Sequence, residues 1–364
     1  MIEFLVKKII MPQSSLYRVI SYKFYLGVVM DLIKAINLDL TPSDVVFECA
    51  LEHTGIFKNT IHIVGFEFDG TACFRKGTKD GPNALRAVSD GIESYSPYLD
   101  DDIDGVSFVD LGNFSLFSPD SAPMSADDLK SASPEFIQAL WQKGTDDFIK
   151  LFSDVKLEQD QVKVITLGGE HSISYAPIKT YLEQYDDLAL VHLDAHADLR
   201  DGYLGYHYSH ASIIRRVVDH FGPKHELIQY GIRSGTKDEY VWMNENNSLI
   251  KDRTSFLKKI ESIPNDRPIY LTLDLDYFDP SFFPGTGTPE PGGEDFHSFI
   301  SLCKILTTKN FVGCDVVELA PNIDASGNSD VFAAKVVREL ILCLNRSGNN
   351  SSSNNNGGAV NNAE

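Results

Sequence analysis

Cysteine is scarce: the 364 residues hold five (Cys49, Cys73, Cys303, Cys314, Cys343), odd in number and never spaced Cys-x-x-Cys. Such scattering suits neither a disulfide framework nor a thiolate zinc site, and it points to a reducing, cytoplasmic setting. Long apolar runs are missing as well. No stretch approaches the ~18 uninterrupted apolar residues that a membrane-spanning helix needs. Positive charge is in short supply, with 32 Lys+Arg against 52 Asp+Glu, a net charge of −20. Nucleic-acid phosphates and anionic membranes would be repelled, whereas a small cationic molecule would be attracted. Internal repeats are absent too.

What is present is ordinary globular material, 43% apolar and 23% charged, too apolar for a wholly disordered chain. Residues 1–30 carry Lys7, Lys8, Arg18 and Lys23 against Glu3 alone. Pro12, Gln13 and two serines interrupt any signal-like core, so this stretch reads as an extension, with a transit segment or an alternative start at Met30 left open. Residues 347–364, SGNNSSSNNNGGAVNNAE, offer almost nothing to bury and read as a disordered tail. Residues 31–346 then form a single domain, with the Ser/Pro/Asp-rich segment Ser118–Ser133 as a surface connection.

Within that domain short, β-branched apolar runs alternate with amphipathic stretches. The runs are Ile61–Phe66, Val106–Asp110, Val162–Leu167, Leu188–Leu193, Leu227–Ile232, Ile269–Leu273 and Phe311–Val317. Helical periodicity marks Pro134–Phe152, Ala211–Phe221, Phe296–Thr307 and Asp330–Leu344. Strands apolar on both faces need cover on both faces. The alternation predicts a three-layer α/β/α fold around a mostly parallel sheet of about eight strands, with ligands beyond the strands' carboxyl ends.

Four of these runs end in chemistry. GGEHS (168–172), DAHAD (194–198), DLD (274–276) and Glu318 each follow a strand directly. In extended backbone alternate side chains share a face, so Asp194, His196 and Asp198 point together, as do Asp274 and Asp276. With His171 they make two imidazoles and four carboxylates. Carboxylates crowded in this way repel one another and lose hydration, and metal is the simplest remedy. Four carboxylates balance two divalent ions. The oxygen-rich set favours Mn²⁺ over Zn²⁺, and two ions about 3.5–4 Å apart would activate a bridging water as nucleophile. One Asp-x-Asp at a strand end is ordinarily a turn or a cap. The combination of motifs is what argues for metal. His192 shares the parity of Asp194 but lies deeper, and reads as a core or supporting histidine. His53, His62, His220, His225 and His297 lack acidic companions and read as surface or packing residues.

The motifs GGEHS, DAHADLRDGYLGYHYSHAS (194–212), DLDYFDPSFFPGTGTPEPGG (274–293) and VVELAP (316–321), with GFEFDGTACFRKGTKDGPNALR (65–86), resemble the ureohydrolases, the arginase and agmatinase family. The resemblance runs from about residue 60 to about residue 344 and is strongest toward agmatinases. It implies the arginase/deacetylase-like fold and two Mn²⁺ per subunit. One ion would be held by His171, Asp194, Asp198 and Asp274, the other by Asp194, His196, Asp274 and Asp276. Glu318 would hold the substrate guanidinium, and His210 would pass protons to the leaving amine. It further implies a trimer or hexamer, and cleavage of a guanidino compound, agmatine foremost, to urea and an amine. Arginases place an asparagine where this chain has Arg200, and guanidino acids remain alternative substrates. Three positions depart from the family's usual pattern: Glu294 and Asp295 after Pro291-Gly292-Gly293, and Ala211 after His210. A zinc deacetylase, which shares the fold, needs only one ion.

Overall fold

The computed structural model describes residues 32–35, 40, 41, 43, 45–52, 55–114, 116 and 132–347. The basic extension, His53, most of Ser118–Ser133 and all but the first residue of the polar tail lie outside the described residues. One ten-stranded sheet organises the rest. Its strands are β1 (Leu40–Thr41), β2 (Leu51–Glu52), β3 (Ile61–Phe66), β4 (Phe108–Phe114), β5 (Lys163–Gly168), β6 (Ala189–Leu193), β7 (Glu226–Tyr230), β8 (Leu249–Ile250), β9 (Pro268–Asp274) and β10 (Asn310–Val317). The order across the sheet is β8-β7-β6-β9-β10-β5-β3-β4-β1, with β2 beside β4. Every pairing is parallel except that of β1 with β4. All seven expected runs are strands. The count exceeds eight because β1, β2 and β8 have two residues each, too short to leave an apolar run. β4 starts later and runs further than Val106–Asp110, passing through Gly112 at φ +81° where its register against β3 slips.

Alternation along the strands divides the core in two. Val191, Leu193, Leu271 and Leu273 face one cluster, while Leu188, Leu190 and Tyr270 face the other. The first cluster is closed by α1 (Gly81–Ser89), α7 (Arg253–Ser262), α8 (Phe296–Leu306) and α9 (Asn328–Arg346). The second is closed by α2 (Pro134–Phe152), α3 (Leu157–Asp160), α4 (Tyr175–Gln184), α5 (Ile213–Val218) and α6 (Lys237–Glu245). These are the three expected layers. Helix α5 is shorter than Ala211–Phe221 because a 3₁₀ turn, His210–Ser212, precedes it. Among the described residues no helix is long and apolar enough to cross a membrane.

Strands β6, β9, β10 and β5 are consecutive neighbours at the sheet's centre. They are the four whose carboxyl ends carry GGEHS, DAHAD, DLD and Glu318, so the topology brings these motifs to one rim.

Candidate metal centre and active site

Three of the four acidic side chains are tied through one oxygen by a backbone amide. Asp194 Oδ1 accepts the His196 amide at 2.5 Å, Asp276 Oδ1 the Ala195 amide at 3.0 Å, and Asp274 Oδ1 the Asp276 amide at 2.8 Å. Carboxylate oxygens of all four aspartates converge on two imidazoles. His171 Nδ1 lies 3.0 Å from Asp194 Oδ2, 3.0 Å from Asp198 Oδ2 and 3.4 Å from Asp274 Oδ2. His196 Nδ1 lies 2.9 Å from Asp276 Oδ2 and 3.5 Å from Asp194 Oδ1. Asp194 therefore belongs to both groups, and all six expected ligands come together. Asp198 adopts φ +53° and Glu318 φ +67°. Left-handed backbone costs a non-glycine residue roughly 1–3 kcal/mol, and such strain concentrates at functional sites.

Hydrogen bonding settles which His171 nitrogen is free. The Thr272 hydroxyl donates to buried Asp315 at 2.7 Å, so at 2.9 Å it accepts the N–H of His171 Nε2. Asp315 also accepts Ser174 and Tyr270 hydroxyls. His171 Nδ1 is then a fully buried atom with no hydrogen-bond partner, its lone pair aimed at three carboxylates. That arrangement is repulsive unless a proton or a cation lies between them. Protonation equilibria register the same demand. Burial opposes charging His171 and His196, yet the surrounding aspartates hold both imidazoles well above their usual range. Burial and the neighbouring Asp194 charge push Asp198 up to about 7, and burial with Asp276 and Asp194 raises Asp274 strongly. Despite burial, the histidines around Asp194 keep it well below the carboxylate range. The donor set suits divalent cations, and among the described residues two groups of converging ligand atoms exist: His171, His192, Asp194 and Asp198, and Asp194, His196 and Asp276.

His192 is closer to the chemistry than its depth in the strand suggested. Its Nδ1 accepts an amide hydrogen from Gln229 at 3.1 Å, which leaves Nε2–H to donate to Asp194 Oδ2 at 2.8 Å. It orients the shared carboxylate. His62, His220, His225 and His297 are engaged away from the cluster, with Phe57, Tyr175, Tyr185 and Tyr98.

Glu318 lies beside the cluster, its Oε1 accepting the His171 amide at 3.0 Å. Burial, then the charges of Glu170 and Asp276, push its carboxyl well above the usual range. His210 opens the 3₁₀ turn His210–Ser212, near enough to His196 and His171 to feel their charge. Burial, with His196, His171 and Arg200 nearby, pushes it down to about 4, so it is neutral at pH 7. The rim comprises Thr288, 3.4 Å from Asp276 Oδ2, Glu290, 3.9 Å from His196 Nε2, and Arg200, its guanidinium 4.5 Å over the Tyr203 ring and 3.9 Å from Glu239. Arg233 binds the loops together, donating to the carbonyls of Glu290, Gly231, Asp276 and others. Thr71, Glu170, Thr272, Asp315 and Gln229 were not anticipated, since hydroxyls, amides and isolated acids have no spacing signature. The Glu294-Asp295 departure has a structural explanation: Glu294 receives Tyr230 and Arg253, and Asp295 caps α8 through Ser298.

A three-layer α/β/α frame with this acidic, histidine-bearing cluster at its central rim is common to ureohydrolases and deacetylases, and sequence similarity indicates a hydrolase of guanidino compounds. The chain belongs to the arginase family, whose model matches residues 59–343. It is 37% identical to the agmatinase of Bacillus cereus over 80% of this chain and 93% of that protein. Against the agmatinase of Bacillus subtilis the identity is 35%, over 77% and 90% of the two chains. Among solved structures, an agmatinase-like protein of Clostridium difficile is 35% identical with a TM-score of 0.66, covering 80% of this chain and 98% of that one.

Proposed function

We propose that the chain is a binuclear manganese enzyme that hydrolyses agmatine to putrescine and urea. The observation that carries the metal reading is the buried, unpartnered Nδ1 of His171 facing three carboxylates. The agmatine reading is supported by relatives named agmatinase, by Arg200 standing where arginases carry asparagine, and by an acidic surface suited to a dication. His171, Asp194, Asp198 and Asp274 would hold one ion, and Asp194, His196, Asp274 and Asp276 the other. When bound, the ions would supply an activated water as nucleophile.

The remaining work falls to side chains. Glu318 grips the guanidinium and keeps its carbon over the cluster. A C–O bond forms at that carbon, and the C–N bond to the alkyl chain breaks. His210, neutral beforehand, takes a proton at Nε2 and returns it to the departing nitrogen. Both hydrogens of the water end on that nitrogen, which leaves as an ammonium beside neutral urea. An assembly of three or six copies accompanies this reading.

A urea assay over agmatine, arginine, guanidinobutyrate, guanidinopropionate and formiminoglutamate, with added Mn²⁺, tests it. The expected outcome is the highest kcat/KM on agmatine and two ions per chain by elemental analysis. Turnover of guanidino acids alone would overturn the agmatine assignment and turn attention to Arg200. One ion per chain would overturn the binuclear reading, and no urea from any guanidine would overturn the proposed activity.

A further inference from the structure

His210 is held from behind by a loop that no ligand motif includes. Thr71, 2% exposed, follows β3 in the 69–77 loop. Its hydroxyl donates to Glu170 Oε1 at 2.7 Å. That hydroxyl oxygen also receives the His210 backbone amide at 3.1 Å and lies 3.3 Å from His210 Nδ1. Glu170 is fully buried and is surrounded by donors: the Thr71 amide at 3.4 Å, the Ser172 amide at 2.9 Å and the Ser172 hydroxyl at 2.8 Å. The carboxylate thus acts as acceptor and takes the Thr71 proton. Thr71 Oγ1 then has only lone pairs to offer His210, and Nδ1 must carry the hydrogen.

We infer that Thr71 and Glu170 are positioning residues that lock neutral His210 as its Nδ1–H tautomer and aim the bare Nε2 at the reacting centre. The inference rests on the reading of His210 as the proton carrier. A histidine in the other tautomer would present N–H where a lone pair is needed, and its ring would be free to turn. Glu170 sits next to the ligand His171 in the chain, so one motif, GGEHS, would serve both the metal cluster and, through Thr71, the proton carrier. Tyr203, its ring 5.6 Å from that of His210 and nearly perpendicular, packs against the imidazole from another side.

Two measurements on the full-length protein test this. In the first, histidine-¹⁵N-labelled protein free of paramagnetic ions is examined by long-range ¹H–¹⁵N NMR at pH 7. The His210 signal is assigned by its loss in His210→Asn. The Nδ1–H pattern is expected in the parent and in Thr71→Ser, and its loss is expected in Thr71→Val. An Nε2–H pattern in the parent, or no change in Thr71→Val, would overturn the inference whether or not any guanidine is hydrolysed. In the second, Thr71→Val is expected to lower kcat about 10–100-fold, the usual range for outer partners of a functional histidine, with KM and metal content little changed. Thr71→Ser should restore turnover. Full kcat in Thr71→Val, or failure of serine to rescue, would also overturn it. Absence of urea from the parent protein would instead count against the proposed function, leaving the NMR result to decide the tautomer.

Discussion

At the level of single residues, strand parity does not orient every ligand candidate, since Asp198 takes left-handed backbone and His171 and Asp276 lie in 3₁₀ turns, but the six were legible because each follows an apolar strand run. Their supports were not. Thr272 stands 101 residues from His171, and Thr71 stands 139 from His210. A hydroxyl within a strand or loop looks the same whether or not it positions an imidazole. The support is nonetheless testable. Thr272→Val keeps the volume but removes the acceptor for His171 Nε2–H, freeing the ring to rotate or change tautomer. Titrating metal-depleted protein with Mn²⁺ should give about 10–100-fold weaker binding than the parent. Glu318→Gln should separate substrate from metal. The amide still accepts the His171 backbone N–H but brings no charge to a guanidinium, so metal content should hold while urea release falls by about 100-fold or more, in line with the loss of a charged transition-state contact.

At the level of elements, strands were easier to read than helices. Buried parallel strands leave unbroken apolar runs, whereas α1, α3, α4, α6 and α7 were not anticipated. Helix α6 did carry a signal: Thr236 and Glu239 form a reciprocal capping box, a Thr-x-x-Glu pattern visible in the sequence. Helix α1 is harder to read because its key residue is charged. Arg86 is fully buried and forks onto both oxygens of Asp110 on β4, at 2.7 and 2.8 Å, with further bonds to Asn113 Oδ1 and the Gly112 carbonyl. A charged residue inside a helix normally predicts a solvated face, yet here it joins the helix to the sheet. Asp110→Ala would strand a buried guanidinium. The expected loss is about 3–5 kcal/mol of unfolding free energy, the range for breaking one side of a buried ion pair. Chemical denaturation would show a lower midpoint. An unchanged midpoint would mean the pair contributes nothing net.

At the level of the whole molecule, charge bears on encounter more than on fold. The chain's net charge is −20, and Glu290 stands at the mouth beside His196. Agmatine near neutral pH is a dication, so as the proposed substrate it would approach down an electrostatic gradient, whereas a zwitterionic guanidino acid would feel almost none. Salt attenuates this field: the screening length falls from about 30 Å at 0.01 M to about 10 Å at 0.1 M ionic strength. Encounter lies within kcat/KM, while kcat begins from the bound complex and is insensitive to steering. Raising NaCl from about 0.01 to about 0.3 M should therefore lower kcat/KM for agmatine several-fold at nearly constant kcat. The same series with guanidinobutyrate, if it is turned over at all, should be flat. Equal salt sensitivity for both substrates would mean that the acidic surface serves solubility alone, and that selection among guanidines is made entirely by contacts within the pocket.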